Sequence, residues 1–164
     1  MEKRQLNLAY IGLGSNLNNP EKQVRTAFVE INAIPSSKVV SSSKLYQNPP
    51  LGNLKQDDYI NAVLALETPL TASELLIYLQ QIELKHDRKR SGEKWSARTL
   101  DLDILLYNND VISTHDLQIP HYDLKNRYFY LYALSKINPN LVFPDGHSIS
   151  EVITHCIKTV LVPL

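Results

Sequence analysis

The 164-residue chain carries 17 Lys plus Arg against 17 Asp plus Glu, with 43% hydrophobic and 21% charged residues. A net charge of zero gives no global field to draw it onto nucleic acid or an anionic membrane, and the composition is that of a chain that folds throughout. At this length roughly two thirds of the unfolded surface can be buried without a stapling disulfide or metal.

The single Cys156 cannot form an internal disulfide, and residues 1–5 lack the apolar core of a secretion signal. The apolar runs fall short of the about 20 residues that a membrane helix requires. A soluble, cytoplasmic protein is expected. Its charge is concentrated locally: Lys85, Arg88, Lys89, Arg90, Lys94 and Arg98 are six of the 17 basic residues within 14 positions.

In chain order, residues 6–13 read as a strand ending in a turn at Gly12-Leu13-Gly14-Ser15-Asn16, where glycine permits close backbone approach. Asn19 as N-cap and Pro20 at the first helical position open a helix whose Val24, Ala27, Phe28 and Ile31 recur at helical spacing. Residues 39–46 are a β-rich run, ended by the stiff Asn48-Pro49-Pro50-Leu51-Gly52 segment. A third strand over 59–67 puts Ile60, Ala62, Leu64 and Leu66 on one face, and Tyr59, Asn61, Val63 and Ala65 on the other.

Thr71-Ala72-Ser73-Glu74 has capping-box spacing ahead of a second helix through Leu75, Leu76, Leu79 and Ile82. Residues 100–107 form a fourth strand, with Leu100, Leu102, Ile104 and Leu106 opposite Asp101, Asp103, Leu105 and Tyr107. An irregular stretch to His121 and a helix around 129–136 follow. A last helix starts at Ser148, with Glu151 completing a capping box and Ile149, Val152, Ile153, Cys156 and Val160 as its buried stripe. This order is the split βαββαβ plan. It predicts an α+β, ferredoxin-like core with helices on one sheet face and the other face open, extended by C-terminal additions within a single domain over 1–164.

The central chemical signal is Asp101-Leu102-Asp103. Strand alternation sets the two carboxylates about 6–7 Å apart on one face, suited to one or two hard divalent cations, although a solvated face or paired charges fits an Asp-x-Asp taken alone. The basic segment leads through Trp95 and Arg98 directly into that strand, so metal and guanidinium would converge, and polyphosphate is the natural guest. The charged loop over 86–97, with Ser91-Gly92, reads as a lid. Pro120-His121-Tyr122-Asp123 and Arg127 supply donors for phosphate or ribose, while Tyr59, Asn61 and Phe129 suggest a slot for a flat heterocycle.

These blocks, in this order, resemble the 6-hydroxymethyl-7,8-dihydropterin pyrophosphokinase family. The likeness runs from Ala9-Tyr10-Ile11-Gly12-Leu13-Gly14-Ser15-Asn16-Leu17 through Pro49-Pro50-Leu51-Gly52 and Tyr59-Ile60-Asn61-Ala62 to Arg98-Thr99-Leu100-Asp101-Leu102-Asp103-Ile104. It continues through Pro120-His121-Tyr122-Asp123, Asn126-Arg127 and Val142-Phe143-Pro144-Asp145-Gly146. The resemblance implies transfer of the diphosphate of ATP to the pterin hydroxyl, with release of AMP, in folate biosynthesis.

It also implies residue roles. Asp101 and Asp103 would hold two Mg²⁺, and Arg88 and Arg98 would bind phosphate, with Arg90 and Trp95 on the mobile loop. His121, Tyr122 and Arg127 would complete the ATP site. The pterin would stack between Tyr59 and Phe129, with Asn48, Pro49, Leu51 and Asn61 around its edge and Glu83 supporting the metal pair from behind. Lys94 stands where family members often have arginine, and Asn48 where threonine is frequent; lysine lacks the bidentate fork. Small-molecule substrates only, a monomer, and no nucleic-acid or membrane partner are expected.

Two other readings use the same residues. A nucleotidyltransferase combines a Gly-Ser turn with an Asp-x-Asp, but there the two lie close in sequence, whereas Ser15 and Asp101 do not. An RNA-binding module can share the fold plan, but the chain lacks the basic-Gly-aromatic strand motif.

Overall fold

The computed structural model describes residues 4–50, 56–86 and 99–164. In chain order they form β1 (Asn7–Ser15), α1 (Pro20–Asn32), β2 (Lys38–Ser42), β3 (Tyr46–Asn48), β4 (Tyr59–Thr68), α2 (Ala72–Lys85) and β5 (Asp101–Tyr107). There follow β6 (Ile112–Ser113), β7 (Gln118–Ile119), a 3₁₀ turn at Leu124–Asn126, α3 (Tyr128–Ile137), α4 (Ile149–His155) and β8 (Val162–Pro163).

The main six-stranded sheet runs β5-β1-β4-β3-β8, with β2 also on β4, and every pairing is antiparallel. The run expected over 39–46 divides into β2 and β3, both beside β4. Its first part carries an irregularity between Val39 and Ser41.

Alternation sorts β1 and β4 into two apolar layers. Ala9, Ile11 and Leu13 join Ile60, Ala62, Leu64 and Leu66 beneath α1 (Val24, Ala27, Ile31) and α2 (Leu75, Leu79, Ile82). Both members of the Thr71/Glu74 capping box are made, so α2 starts where the sequence expects. Asn19 is the N-cap residue of α1 but adopts a left-handed φ of 63° and makes no side-chain cap bond.

The expectation of an open second face is corrected. Tyr10, Val63 and Ala65 are covered by Phe129, Tyr130, Leu131, Ala133 and Leu134 of α3 and by Ile149 and Val152 of α4. Helices therefore lie on both faces.

Three further corrections follow. Gly12 and Gly14 lie within β1 rather than in a turn, each paired to β4 and β5. In β5 the register slips between Ile104 and Leu106, leaving Leu105 as an extra residue; a bulge of this kind reverses the alternation beyond it. Leu106 consequently joins the α3 layer and Tyr107 the α1/α2 layer, where its hydroxyl donates to the Leu70 carbonyl at 2.6 Å. Finally, α4 ends at His155. Its Ser148 hydroxyl accepts from Glu151 N–H, the Glu151 carboxylate turns to His147, and Val160 is exposed.

Candidate active site

Asp101 and Asp103 precede the bulge, so both point to the same face, each half-buried. Glu83 on α2 supports them from the opposite side: it is buried, and its Oε2 accepts from the Leu102 N–H at 2.9 Å, pinning the backbone between the two aspartates. The start of β5 is tied to the end of β1, where the buried Ser15 hydroxyl donates to the Thr99 carbonyl at 2.5 Å. His86, at the C-cap of α2, sits between Gln23 and Glu30 of α1 and so fixes the helix that carries Glu83.

The donor set suits a hard cation. Among the described residues there is no group of three or more His, Cys, Asp or Glu that could hold a metal ion, and Asp101 and Asp103 offer two carboxylates on one strand face. Mg²⁺ commonly takes such a pair.

Opposite the aspartates lie two glycines. Gly12 is the register partner of Asp103, and Gly14 of Asp101. A Cβ on Gly12 would stand 2.6 Å from Cζ of Tyr130, and one on Gly14 would stand 2.6 Å from Oδ1 of Asn61. The missing side chains thus admit the Tyr130 ring and the Asn61 amide over β1. Asn61 is buried and donates through Nδ2 to Oδ1 of Asn48 at 2.6 Å, which gives the Asn48 departure a defined contact.

Tyr59 is half-buried beside Asn61 on β4, Phe129 is buried at the start of α3 with its ring 4.6 Å from that of Tyr130, and Pro49 is exposed at the end of β3. Tyr130 is fully buried. Burial, then the charges of Asp103 and Asp101, hold its hydroxyl protonated well above the ordinary tyrosine range.

On the other side, the His121 N–H donates to the Leu105 carbonyl at 2.9 Å, hanging the following segment from β5. His121 Nδ1 accepts from the Asp123 N–H at 3.2 Å, so the neutral ring carries its proton on Nε2, which stands 3.7 Å from Asp103 Oδ1. Burial first, then the Arg127 guanidinium, lowers the His121 pKa to about 4, against the pull of Asp101 and Asp123. The contact with Asp103 is therefore that of a neutral imidazole.

The 3₁₀ turn brings Asn126 Nδ2 and Arg127 Nε onto the two oxygens of Asp123, at 2.9 and 3.2 Å. Burial opposes the charge on Arg127, but Tyr130, Asp103 and Asp123 outweigh it and keep it a cation. Tyr122 stacks on His121 with centroids 4.8 Å apart and remains exposed.

A group whose folded pKa lies below its unfolded value gives stability that is complete above the unfolded pKa and fades as pH falls toward the folded one. His121 should therefore remove up to about 3 kcal/mol between pH 6.5 and 4. Nitrogen-detected NMR of the ligand-free protein should find its ring neutral, in the Nε2–H form, at pH 6. A midpoint near 6.5 would refute this assignment.

The arrangement is thus a carboxylate pair, a cation and neutral donors, with Tyr59, Asn61 and Phe129 adjoining. The family model for 7,8-dihydro-6-hydroxymethylpterin-pyrophosphokinase matches residues 10–139. The chain belongs to this family.

The 2-amino-4-hydroxy-6-hydroxymethyldihydropteridine pyrophosphokinase of Haemophilus influenzae is 45% identical over 145 residues, covering 88% of this chain and 90% of that protein. The corresponding pyrophosphokinase of Pseudomonas aeruginosa is 40% identical over 147 residues, with 90% of each covered. Among solved structures, a Plasmodium falciparum HPPK-DHPS with pteroate superposes with a TM-score of 0.74 at 14% identity, covering 94% of this chain and 41% of that one. At that identity the likeness concerns the fold.

Of the pyrophosphokinase residues expected from sequence, the fold gathers Asp101, Asp103, His121 and Arg127 around one end of the sheet, with Asn48, Asn61, Tyr59 and Phe129 adjoining. Leu51, Arg88, Arg90, Trp95 and Arg98, together with Lys94, lie outside the described residues. Sequence reasoning missed three contributions: Tyr130, the Asp123 carboxylate as the anchor of Arg127, and the glycine pair as the floor of the site. The spacing of Gly12 and Gly14, two residues apart on one strand, was the available signal, because it clears one face.

Proposed function

We propose that the chain performs its family's reaction at this end of the sheet, transferring the diphosphate of ATP to the hydroxyl of 6-hydroxymethyl-7,8-dihydropterin, a step of folate biosynthesis. The observation that carries the reading is the Asp101/Asp103 pair, supported from behind by Glu83 and faced by Arg127, His121 and the Asn61 slot.

Asp101 and Asp103 would hold two Mg²⁺. When bound, these cations neutralise phosphate charge and favour ionisation of the pterin hydroxyl. Arg127 and the Nε2–H of His121 present donors to phosphate oxygens at no cost in reorganisation, since both are already held by Asp123. Tyr122 offers an exposed ring to the nucleotide. Asn61, held by Asn48, reads the pterin edge, and Tyr59 and Phe129 flank its ring. Arg88, Arg90, Trp95 and Arg98 are assigned to phosphate binding and closure by family resemblance.

The pterin oxygen bonds to the β-phosphorus and the bridge to the α-phosphate breaks. AMP leaves with the bridging oxygen, and the hydroxyl proton passes to solvent.

The strand order β5-β1-β4 followed by β2/β3 supports a ferredoxin-like βαββαβ core, and the shared sheet supports one domain over 1–164. No helix among the described residues is long and apolar enough to cross a membrane. We read the protein as a cytoplasmic monomer acting on small molecules.

The test is incubation with ATP, Mg²⁺ and the hydroxymethyl dihydropterin, followed by nucleotide separation. AMP formed only with pterin and metal is expected. ADP, or inorganic pyrophosphate, would replace this reading with simple kinase or nucleotidyl-transfer chemistry.

A further inference from the structure

We propose that the Tyr130 hydroxyl is a positioning group of the active site that orients the Asp103 carboxylate toward its cation. The inference rests on the assignment of Asp101 and Asp103 as the metal pair, and its own support is geometric.

The hydroxyl lies 3.0 Å from where a Gly12 Cβ would stand and 3.8 Å from where a Gly14 Cβ would stand. Those are the two β1 positions that face Asp103 and Asp101 across the antiparallel ladder. Opposed Cβ positions on one face of such a ladder are about 4.5–5.5 Å apart. The phenolic oxygen therefore occupies the space above β1 into which the aspartates project, with Asp103 on the nearer register.

Tyr130 is 2% exposed. A buried tyrosine O–H takes an acceptor when one is in reach, and an ionised carboxylate can only accept. The ring and the oxygen have separable tasks, since the ring fills the space above Gly12 and packs on Phe129 at 4.6 Å. Phenylalanine would keep the packing and remove only the donor.

The experiment titrates Mn²⁺ and reads, by calorimetry, the binding of α,β-methylene ATP, whose carbon bridge replaces the bond that breaks. Tyr130→Phe should raise the Mn²⁺ concentration for half-maximal binding about 10- to 100-fold, the scale of one hydrogen bond to a charged group. Pterin affinity without metal should stay within about twofold, a split that loss of packing alone would not produce.

Gly12→Ala is the second variant. It retains the hydroxyl but drives the ring from its seat, so it should raise the Mn²⁺ requirement similarly, with no further rise when combined with Tyr130→Phe. An unchanged requirement in Tyr130→Phe, or in Gly12→Ala should the first variant fail to fold, overturns the proposal, as does an equal loss of pterin affinity. Asp103→Asn separates the two assignments. If it too leaves the requirement unchanged, the metal pair itself is misassigned; if it alone raises it, only the role of Tyr130 is lost.

Discussion

Asp101→Ala and Asp103→Ala should each lower turnover by at least about 100-fold, the scale of removing one preorganised electrostatic group from a transition state, with AMP release as the measurement. Glu83 prepares the pair. Its buried carboxylate holds the Leu102 N–H, so the strand segment between the aspartates is fixed before any substrate arrives. The bulge at Leu105 follows the pair and leaves both carboxylates on one face, opposite glycines that place no side chain in front of them.

Two like charges held so close favour a bound cation over mutual repulsion, and removing one relieves that repulsion in the metal-free fold. Stability of Asp101→Ala should therefore remain within about 1 kcal/mol of the parent, Asp103→Ala should lose more because Asp103 also offsets the burial of Arg127, and the loss common to both will appear in turnover. Asp103→Asn keeps the shape and removes the charge, so it should fall as far as alanine. Near-parental turnover in variants with intact melting curves would take the pair out of the chemistry.

The parts of the site legible in the sequence are those that depend on strand period alone. Alternation placed Asp101 with Asp103 and Asn61 with Tyr59, and the capping box placed the start of α2. The remainder depends on partners that local pattern does not specify. The extra residue Leu105 exists only relative to β1, so the reversal at Leu106 and Tyr107 could not be read from β5.

The apolar positions of α3 and α4 announce a buried face without saying which side of the sheet they cover, hence the mistaken open face. Tyr130 reads as ordinary core within Tyr128-Phe129-Tyr130-Leu131. It reaches the site only because two glycines on a distant strand leave room. The neutral state of His121 comes from burial and from Arg127 six residues later, brought alongside by the 3₁₀ turn.

Arg127→Met tests that last arrangement and carries the largest expected effect on stability. The Arg127 and Asp123 side chains are 11% and 20% exposed and meet at 3.2 Å. Burial works to raise the Asp123 pKa, yet hydrogen bonds from Asn126 and Arg127, with the Arg127 charge, prevail and hold it below the ordinary carboxylate range. Methionine keeps much of the stem's bulk but leaves Asp123 a poorly compensated charge. The loss should be about 3 kcal/mol, the lower end for breaking a buried pair because Asp123 retains some solvent.

In the parent, the depressed pKa of Asp123 contributes stability above the unfolded carboxylate pKa and loses it as pH falls through the folded value. In Arg127→Met the sign reverses. Burial then dominates, the folded pKa rises, and protonation as the pH falls should recover part of the deficit. Arg127→Met/Asp123→Asn removes both charges and should be more stable than Arg127→Met alone at pH 7, measured by urea denaturation. A double variant at least as destabilised as the sum of the two singles would mean that the pair is not coupled, and that Arg127 is held by its packing rather than by Asp123.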